Sequence, residues 1–282
     1  MSGKGHRELG GHARPLSAPK FLALDLDGTL IGADLKIRPA VKTAIERARK
    51  QNVAGCIVTG RMHRATVPFA VELDFAAPMI CYQGAGIFER FSGAVLRETP
   101  LSNIITLQVT RAAKREGLHV QLYSGDNYFV EEQNWCTALY AKLSGVEPII
   151  VDSLEESFAR RESIKIVVVV EANLAAGYLP RIRELCGPNA YITRSYPEFI
   201  EILSPAVNKG EALEFVCARL GVSLKDVVAI GDSWNDVPLL NVAGFGIAMG
   251  SAPPELAARA DAVVADVAND GVAEAIERFV LQ

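Results

Sequence analysis

Short stretches of apolar residues, each four or five residues long, recur along this chain between stretches that have the spacing of amphipathic helices. A strand without alternation of apolar and polar residues is typical of a parallel sheet covered by helices on both faces. We therefore predict an α/β fold. The predicted strands of the sheet are Phe21–Leu24, Gly55–Val58, Pro78–Tyr82, Val227–Ile230 and Phe245–Ala248, with a short last strand at Asp261–Val264.

The pattern changes in the middle of the chain, where strand-like segments with polar residues alternate with helices and a tight hairpin is predicted around Ser92-Gly93. This texture indicates an α+β module inserted into the α/β core. The predicted division is a disordered N-terminal extension at residues 1–18, a core at 19–86 and 197–282, and an inserted cap at 87–196.

Composition excludes several classes of function. The net charge of −4 over 282 residues provides no basic surface for nucleic acid. The five cysteines are dispersed without C-x-x-C spacing, which argues against a disulfide framework and a zinc site. The longest apolar run, Ile164–Val170, is interrupted by Lys165 and is far shorter than the ~18 residues of a membrane span. We expect a cytoplasmic protein that does not bind membranes, and its oligomeric state stays open.

Two carboxylates, Asp25 and Asp27, directly follow the first apolar strand. Carboxylates at a buried strand end are costly unless a cation pairs with them, and Mg²⁺ prefers such oxygen ligands. A calcium-binding loop would need glycine at its sixth position and glutamate at its twelfth, where this chain has Leu30 and Lys36. The pair therefore predicts a catalytic site that uses a metal.

Two further elements predict an anion pocket. Thr59 and Gly60 follow the second strand, where a hydroxyl beside glycine amides suits an anion, although Thr-Gly is also a common turn. Asn208 and Lys209 stand at the head of a predicted helix. A lysine there opposes the helix dipole, which favours a bound anion, although an ordinary surface lysine is the simpler interpretation.

A fourth element, Asp232, Asn235 and Asp236, follows the strand Val227–Ile230. Three acid or amide side chains within five residues at a strand-to-helix turn predict a second group of metal ligands. Capping of the helix by Asp232 or Ser233 would explain one of these side chains but not all three.

In this order, the four elements resemble the motifs of the haloacid dehalogenase superfamily, namely D-x-D-G-T at 25–29, Thr59, Lys209 and G-D-x-x-N-D at 231–236. The long insertion and the runs at 246–250 and 269–272 resemble its Cof-like phosphatases. The resemblance covers the chain from about residue 20 onward. It implies a Rossmann-like core with an inserted cap, and a phosphatase that removes phosphate from a small metabolite.

The resemblance also implies roles for single residues. Asp25 would be the nucleophile, forming an aspartyl-phosphate, and Asp27 the general acid and base. Thr59, Gly60, Asn208 and Lys209 would hold the phosphoryl group. The ligands of Mg²⁺ would be the Asp25 side chain, the Asp27 backbone carbonyl and Asp232, with Asn235 and Asp236 orienting them.

Alternatives remain open at this stage. Asp27 and the Asp232 cluster favour phosphate over halide chemistry, because halide-displacing members of the superfamily lack the second aspartate and the metal. A phosphomutase would share these motifs, and a non-catalytic phospho-acceptor or binding module is a distant alternative. The family resemblance favours a sugar phosphate as the substrate, with nucleotide or cofactor phosphates as alternatives. Cap residues that could face it are Tyr123, Asp126, Tyr128 and Glu131.

Overall fold

The computed structural model describes residues 18–281, so the predicted extension lies almost wholly outside the described residues. The strands are β1 (Phe21–Leu24), β2 (Ala54–Ile57), β3 (Met79–Cys81), β4 (Gly86–Phe88), β5 (Val95–Glu98), β6 (His119–Ser124), β7 (Asn127–Val130), β8 (Ile149–Ile150), β9 (Lys165–Val169), β10 (Tyr191–Tyr196), β11 (Phe199–Leu203), β12 (Val227–Gly231), β13 (Phe245–Ala248) and β14 (Ala262–Val263). The α-helices are α1 (Pro39–Lys50), α2 (His63–Glu72), α3 (Asn103–Arg115), α4 (Trp135–Ser144), α5 (Leu154–Ser157), α6 (Ala175–Cys186), α7 (Lys209–Leu220), α8 (Val237–Val242), α9 (Pro254–Ala257) and α10 (Gly271–Phe279).

The first sheet is parallel and has the strand order β14-β13-β12-β1-β2. Leu22 and Leu24 of β1 belong to a core cluster with residues of α1 and α10. Phe21 and Ala23 belong to a second cluster with residues of α7 and α8. Both faces of the strand are therefore buried, which explains its uniformly apolar sequence. The predicted α/β fold with a parallel sheet is confirmed.

Strands β3, β4 and β5 form an antiparallel three-stranded sheet beside the parallel one. A parallel bridge between Val58 and Ile80 connects the two sheets. The predicted hairpin joins β4 to β5, and Gly93 in its turn has a φ of 69°, a conformation that favours glycine.

The six-stranded sheet lies in the predicted insertion and has the order β10-β11-β9-β6-β7-β8. One face packs on α3 and α6, through residues such as Val168 and Ile202. Lys165 of β9 and Glu201 of β11 belong to the opposite face. The predicted boundary at residue 197 falls in the turn between β10 and β11, so this sheet continues to Leu203. The division into core and cap stays a prediction.

Two further findings concern the described residues. All five cysteines are buried and unpaired, as small core residues. Within residues 18–281, none of the helices combines the length and the apolar character that a bilayer crossing requires.

Candidate active site

The predicted site residues meet at one edge of the parallel sheet. Asp25 follows β1, Thr59 follows β2, and Asp232 follows β12. β1 lies between the other two strands, so their carboxyl ends are neighbours. This is the edge at which open α/β sheets bind ligands.

Asp25, Asp232 and Asp236 form an acidic cluster, in which the nearest carboxylate oxygens lie within 4.8 Å of one another. Gly28 allows this close approach. Its φ is +83°, and a Cβ atom at this position would lie 2.3 Å from Oδ2 of Asp232. Thr29 adds a hydrogen bond from its hydroxyl to Oδ1 of Asp232, at 3.2 Å. The glycine and threonine of the first motif thus position the acid of the last one.

Lys209 lies within this cluster and is 1% exposed. Its Nζ donates to Oδ1 of Asp25 at 2.5 Å and to Oδ1 of Asp236 at 2.6 Å. Burial lowers the pKa of Lys209, but the carboxylates of Asp236 and Asp25 outweigh burial and raise the pKa above its ordinary value. Lys209 is the first residue of α7, since the side chain of Asn208 caps the helix by accepting from the Glu211 N–H at 2.9 Å.

The cluster carries more negative charge than Lys209 neutralises. Burial, and then the charge of Asp236, raise the pKa of Asp25 well above its ordinary value. The same two causes raise the pKa of Asp232 to about 6. A cation bound by these carboxylates would compensate their excess negative charge. Because the ligands are all oxygen atoms, the site suits a hard divalent ion.

Asp27 is not part of this cluster. Nε and Nη2 of Arg61 donate to its two carboxylate oxygens at 2.8 and 2.6 Å. The hydroxyl of Tyr196, from the end of β10, donates to Oδ1 of Asp27 at 3.1 Å. Arg61 also donates to the backbone oxygen of Leu143 in α4, at 2.7 Å. Arg61 directly follows Gly60 in the sequence, but neither its role nor the presence of Tyr196 was predicted.

Arg61 also bears on the predicted anion pocket, because its N–H donates to the hydroxyl of Thr59 at 3.1 Å. Thr59 and Gly60 line a cavity beside Asp25. Lys209 and Asn208 do not line it: Lys209 lies behind Asp25, and the side chain of Asn208 bonds to Glu211.

The cavity, of about 80 Å³, lies between the strand ends and the six-stranded sheet with α4. Its lining on the side of the strand ends is Asp25, Asp27, Thr59, Gly60, Arg61, Asp232, Ser233 and Asn235. The opposite lining is Tyr140, Leu143, Ser144, Lys165, Ser195, Tyr196, Phe199 and Glu201.

A buried polar network joins the two sides of the cavity. Lys165 Nζ donates to the backbone oxygen of Gly60 at 3.0 Å and to Glu201 at 3.1 Å. Gln83 Nε2 donates to Glu201 at 2.9 Å, while Oε1 of Gln83 accepts from Asn235 at 3.0 Å. The network was not predicted. Its signal in the sequence is a charge inside an apolar strand, as at Lys165.

The four predicted cap residues lie elsewhere, and within residues 18–281 none of them lines this cavity. Tyr123 and Tyr128 are buried and stacked on each other, with ring centroids 5.7 Å apart. Asp126 accepts from the Tyr82 hydroxyl at 2.9 Å. Glu131 accepts from Lys114 Nζ and from the Leu154 N–H, each at 2.8 Å.

Comparison with known proteins identifies the family. The model of the haloacid dehalogenase-like hydrolases matches residues 22–276, almost the whole chain. The chain belongs to this family. The haloacid dehalogenase resemblance is thereby confirmed, and so is the predicted class of enzyme, a phosphoric monoester hydrolase, because many relatives are named phosphatases. Phosphatases of this family generally use a divalent metal, and the acidic cluster fits one, while the identity of the metal stays a prediction.

Two relatives of this haloacid dehalogenase-like hydrolase match over nearly their whole length. Pyridoxal phosphate phosphatase YbhA of Escherichia coli is 28% identical, over 91% of this chain and 97% of the relative. The 5-amino-6-(5-phospho-D-ribitylamino)uracil phosphatase YcsE of Bacillus subtilis is 27% identical, over 93% and 96%. A solved haloacid dehalogenase-like hydrolase from Bacteroides thetaiotaomicron superposes with a TM-score of 0.82 at 26% identity, covering 92% of this chain and 99% of that one.

Proposed function

We propose that this phosphatase requires Mg²⁺ and hydrolyses the phosphate monoester of a small metabolite, with a sugar phosphate as the expected class, through an aspartyl-phosphate on Asp25. One observation carries the proposal. Asp25 is 4% exposed, lines the cavity, accepts a hydrogen bond from Lys209 and has a carboxylate oxygen within 4.8 Å of those of Asp232 and Asp236. A carboxylate held this firmly at a cavity wall is oriented for in-line attack on phosphorus.

In the first step, the Asp25 carboxylate attacks phosphorus while the bond from phosphorus to the leaving oxygen breaks. Protonated Asp27 gives its proton to that oxygen. In the second step, ionised Asp27 takes a proton from water, which attacks the phosphorus of the aspartyl-phosphate and releases inorganic phosphate. Arg61 and Tyr196, which donate to the Asp27 carboxylate, would orient it for these proton transfers.

Other residues of the site would bind and orient. Thr59 and Gly60, which line the cavity, would bind phosphoryl oxygens. Asp25, Asp232 and the backbone carbonyl of Asp27 would hold the metal, which when bound supplies positive charge to the transferring phosphoryl group. Asp236 would act indirectly, because its Oδ2 accepts from the Asp232 and Ser233 N–H groups at 3.0 Å each and thereby orients Asp232.

The expectation for Lys209 and Asn208 changes with the geometry. Lys209 donates to Asp25 and Asp236 instead of lining the cavity, so we assign it to holding the nucleophile. Asn208 would contribute by capping α7 and thus placing Lys209. Asn235 would be a positioning residue, since it lines the cavity and donates to Gln83.

The test follows radiolabelled phosphate from a sugar phosphate in the presence of Mg²⁺. Rapid acid quenching should trap label on the protein, and borohydride reduction should convert labelled Asp25 to homoserine. Asp25→Asn should abolish both labelling and release of free phosphate, while the matched surface variant Asp34→Asn should retain both. Labelled protein in the Asp25→Asn variant would refute the assignment of Asp25 as the nucleophile. An isomerised sugar phosphate without free phosphate would instead identify a phosphomutase.

A further inference from the structure

The cations that line the cavity are each already paired with a carboxylate. Arg61 makes two hydrogen bonds to Asp27, at 2.6 and 2.8 Å. Lys165 lies 3.1 Å from Glu201, and both side chains are 2% exposed. Lys209, just behind the lining, is shared between Asp25 and another buried acid. Within the described part of the chain, these contacts leave the cavity wall without an uncompensated positive charge.

Further contacts hold the Lys165–Glu201 ion pair together, so the Lys165 ammonium does not separate from Glu201 to bind another anion. Glu201 accepts from Lys165, from Gln83 at 2.9 Å and from the hydroxyl of Ser195 at 2.7 Å. The ammonium of Lys165 donates to Gly60 and lies 4.7 Å from the ring centroid of an aromatic residue of β6. Separating such a buried pair would leave a charge unpaired away from water, which is strongly unfavourable.

The count of charges on the lining has a direct consequence for the substrate. The lining carboxylates are those of Asp25, Asp27, Glu201 and Asp232, against the two cations Arg61 and Lys165, and three carboxylates still face two cations when Asp27 is protonated for the first step. A divalent metal at the acidic cluster would serve the phosphoryl group being transferred. A second anionic group on the substrate would then lie near carboxylates, while the cations of the lining are already paired with other groups. It would therefore be repelled.

We propose that this phosphatase selects monophosphates whose leaving group carries no second anionic group, and that the neutralised Lys165–Glu201 pair sets this selectivity. The inference rests on the proposed function. The same wall suits neutral polar groups, because it contains the hydroxyl groups of Ser144 and Ser195. The aromatic rings beside them are those of Tyr140, Tyr196 and Phe199. Hydroxyl-bearing or aromatic leaving groups fit these surroundings, and carboxylate- or phosphate-bearing ones do not.

The test compares three aryl phosphates that differ at one position of the ring, namely para-nitrophenyl, para-carbamoylphenyl and para-carboxyphenyl phosphate. The carbamoyl and carboxylate groups have nearly the same shape, so their comparison isolates the charge. We expect kcat/KM for the carboxylate to be lower than for the carbamoyl compound by on the order of 100-fold. In Glu201→Gln, the cation of Lys165 is no longer neutralised, and this ratio should fall at least about tenfold.

Glu198→Gln is the matched control, because this substitution removes the same charge at a residue that does not line the cavity. Its ratio should equal that of the parent enzyme. An unchanged ratio in folded Glu201→Gln would overturn the role of the Lys165–Glu201 pair, and the ratio of the parent enzyme decides the selectivity itself even if this variant does not fold. Equal kcat/KM for the carboxylate and carbamoyl compounds would overturn the inference and leave the proposed function standing. Release of phosphate from none of the three, para-nitrophenyl phosphate included, would refute the proposed function itself and the inference with it.

Discussion

Lys209→Met removes the cation that Asp25 and Asp236 share, while the methionine keeps most of the apolar stem. All three side chains are 6% exposed or less, so water cannot take over the lost contacts. Removing one member of a buried ion pair typically costs about 3–5 kcal/mol, because the remaining charge is left unpaired. Here two carboxylates are left, so we expect the free energy of unfolding to fall by at least this amount in the presence of chelator.

The loss should be measured by urea unfolding in a Trp135→Phe background. The remaining tryptophan, Trp234, belongs to the motif of the acidic cluster and reports on that part of the molecule. Lys36→Met is the control, because Lys36 is exposed, and its effect should stay within about 0.5 kcal/mol.

A second expectation separates charge from packing in the same variant. Adding Asp236→Asn to Lys209→Met removes one of the two carboxylates that have lost their counter-ion, so the double variant should recover part of the lost stability. Mg²⁺ should also stabilise Lys209→Met more than the parent protein, since the ion replaces the missing positive charge. A loss below about 1 kcal/mol for Lys209→Met, with unchanged dependence on urea, would refute the role of Lys209 as the counter-ion of this cluster.

Three further predictions concern the remaining parts of the site. Asp27→Asn should slow hydrolysis of alkyl phosphates by ~10²–10⁴-fold but affect para-nitrophenyl phosphate less, and equal losses in steady-state assays would contradict the acid role. Asp232→Ala should raise the Mg²⁺ concentration needed for half-maximal rate. Full activity of the parent enzyme in excess chelator would contradict the metal requirement. Gln83→Leu removes the acceptor of the Asn235 amide and one of the hydrogen-bond donors to Glu201, so urea unfolding should show a loss of about 1–3 kcal/mol, whereas an unchanged midpoint would contradict the network.

The sequence by itself determined the class of fold and the residues at the strand ends. Uniformly apolar strands are stable only when both faces are covered, and parallel strands place their carboxyl ends at one edge. Asp25 and Asp232, more than 200 residues apart, could therefore be assigned to one site from local pattern alone. The acidic cluster contains these two residues and Asp236, while Asp27 and Asn235, which were predicted with them, are not members of it.

Only the tertiary structure decided which groups surround that cluster, because this depends on how the six-stranded sheet lies against the strand ends. Arg61 directly follows the predicted anion-pocket residues Thr59 and Gly60, yet its hydrogen bonds to Asp27 and Leu143 join segments that no local spacing relates. Tyr196 reaches Asp27 across 169 positions of the chain, and Gln83 reaches Glu201 across 118. Periodicity reports whether a side chain is buried, but which buried polar groups meet is determined by the packing of distant elements.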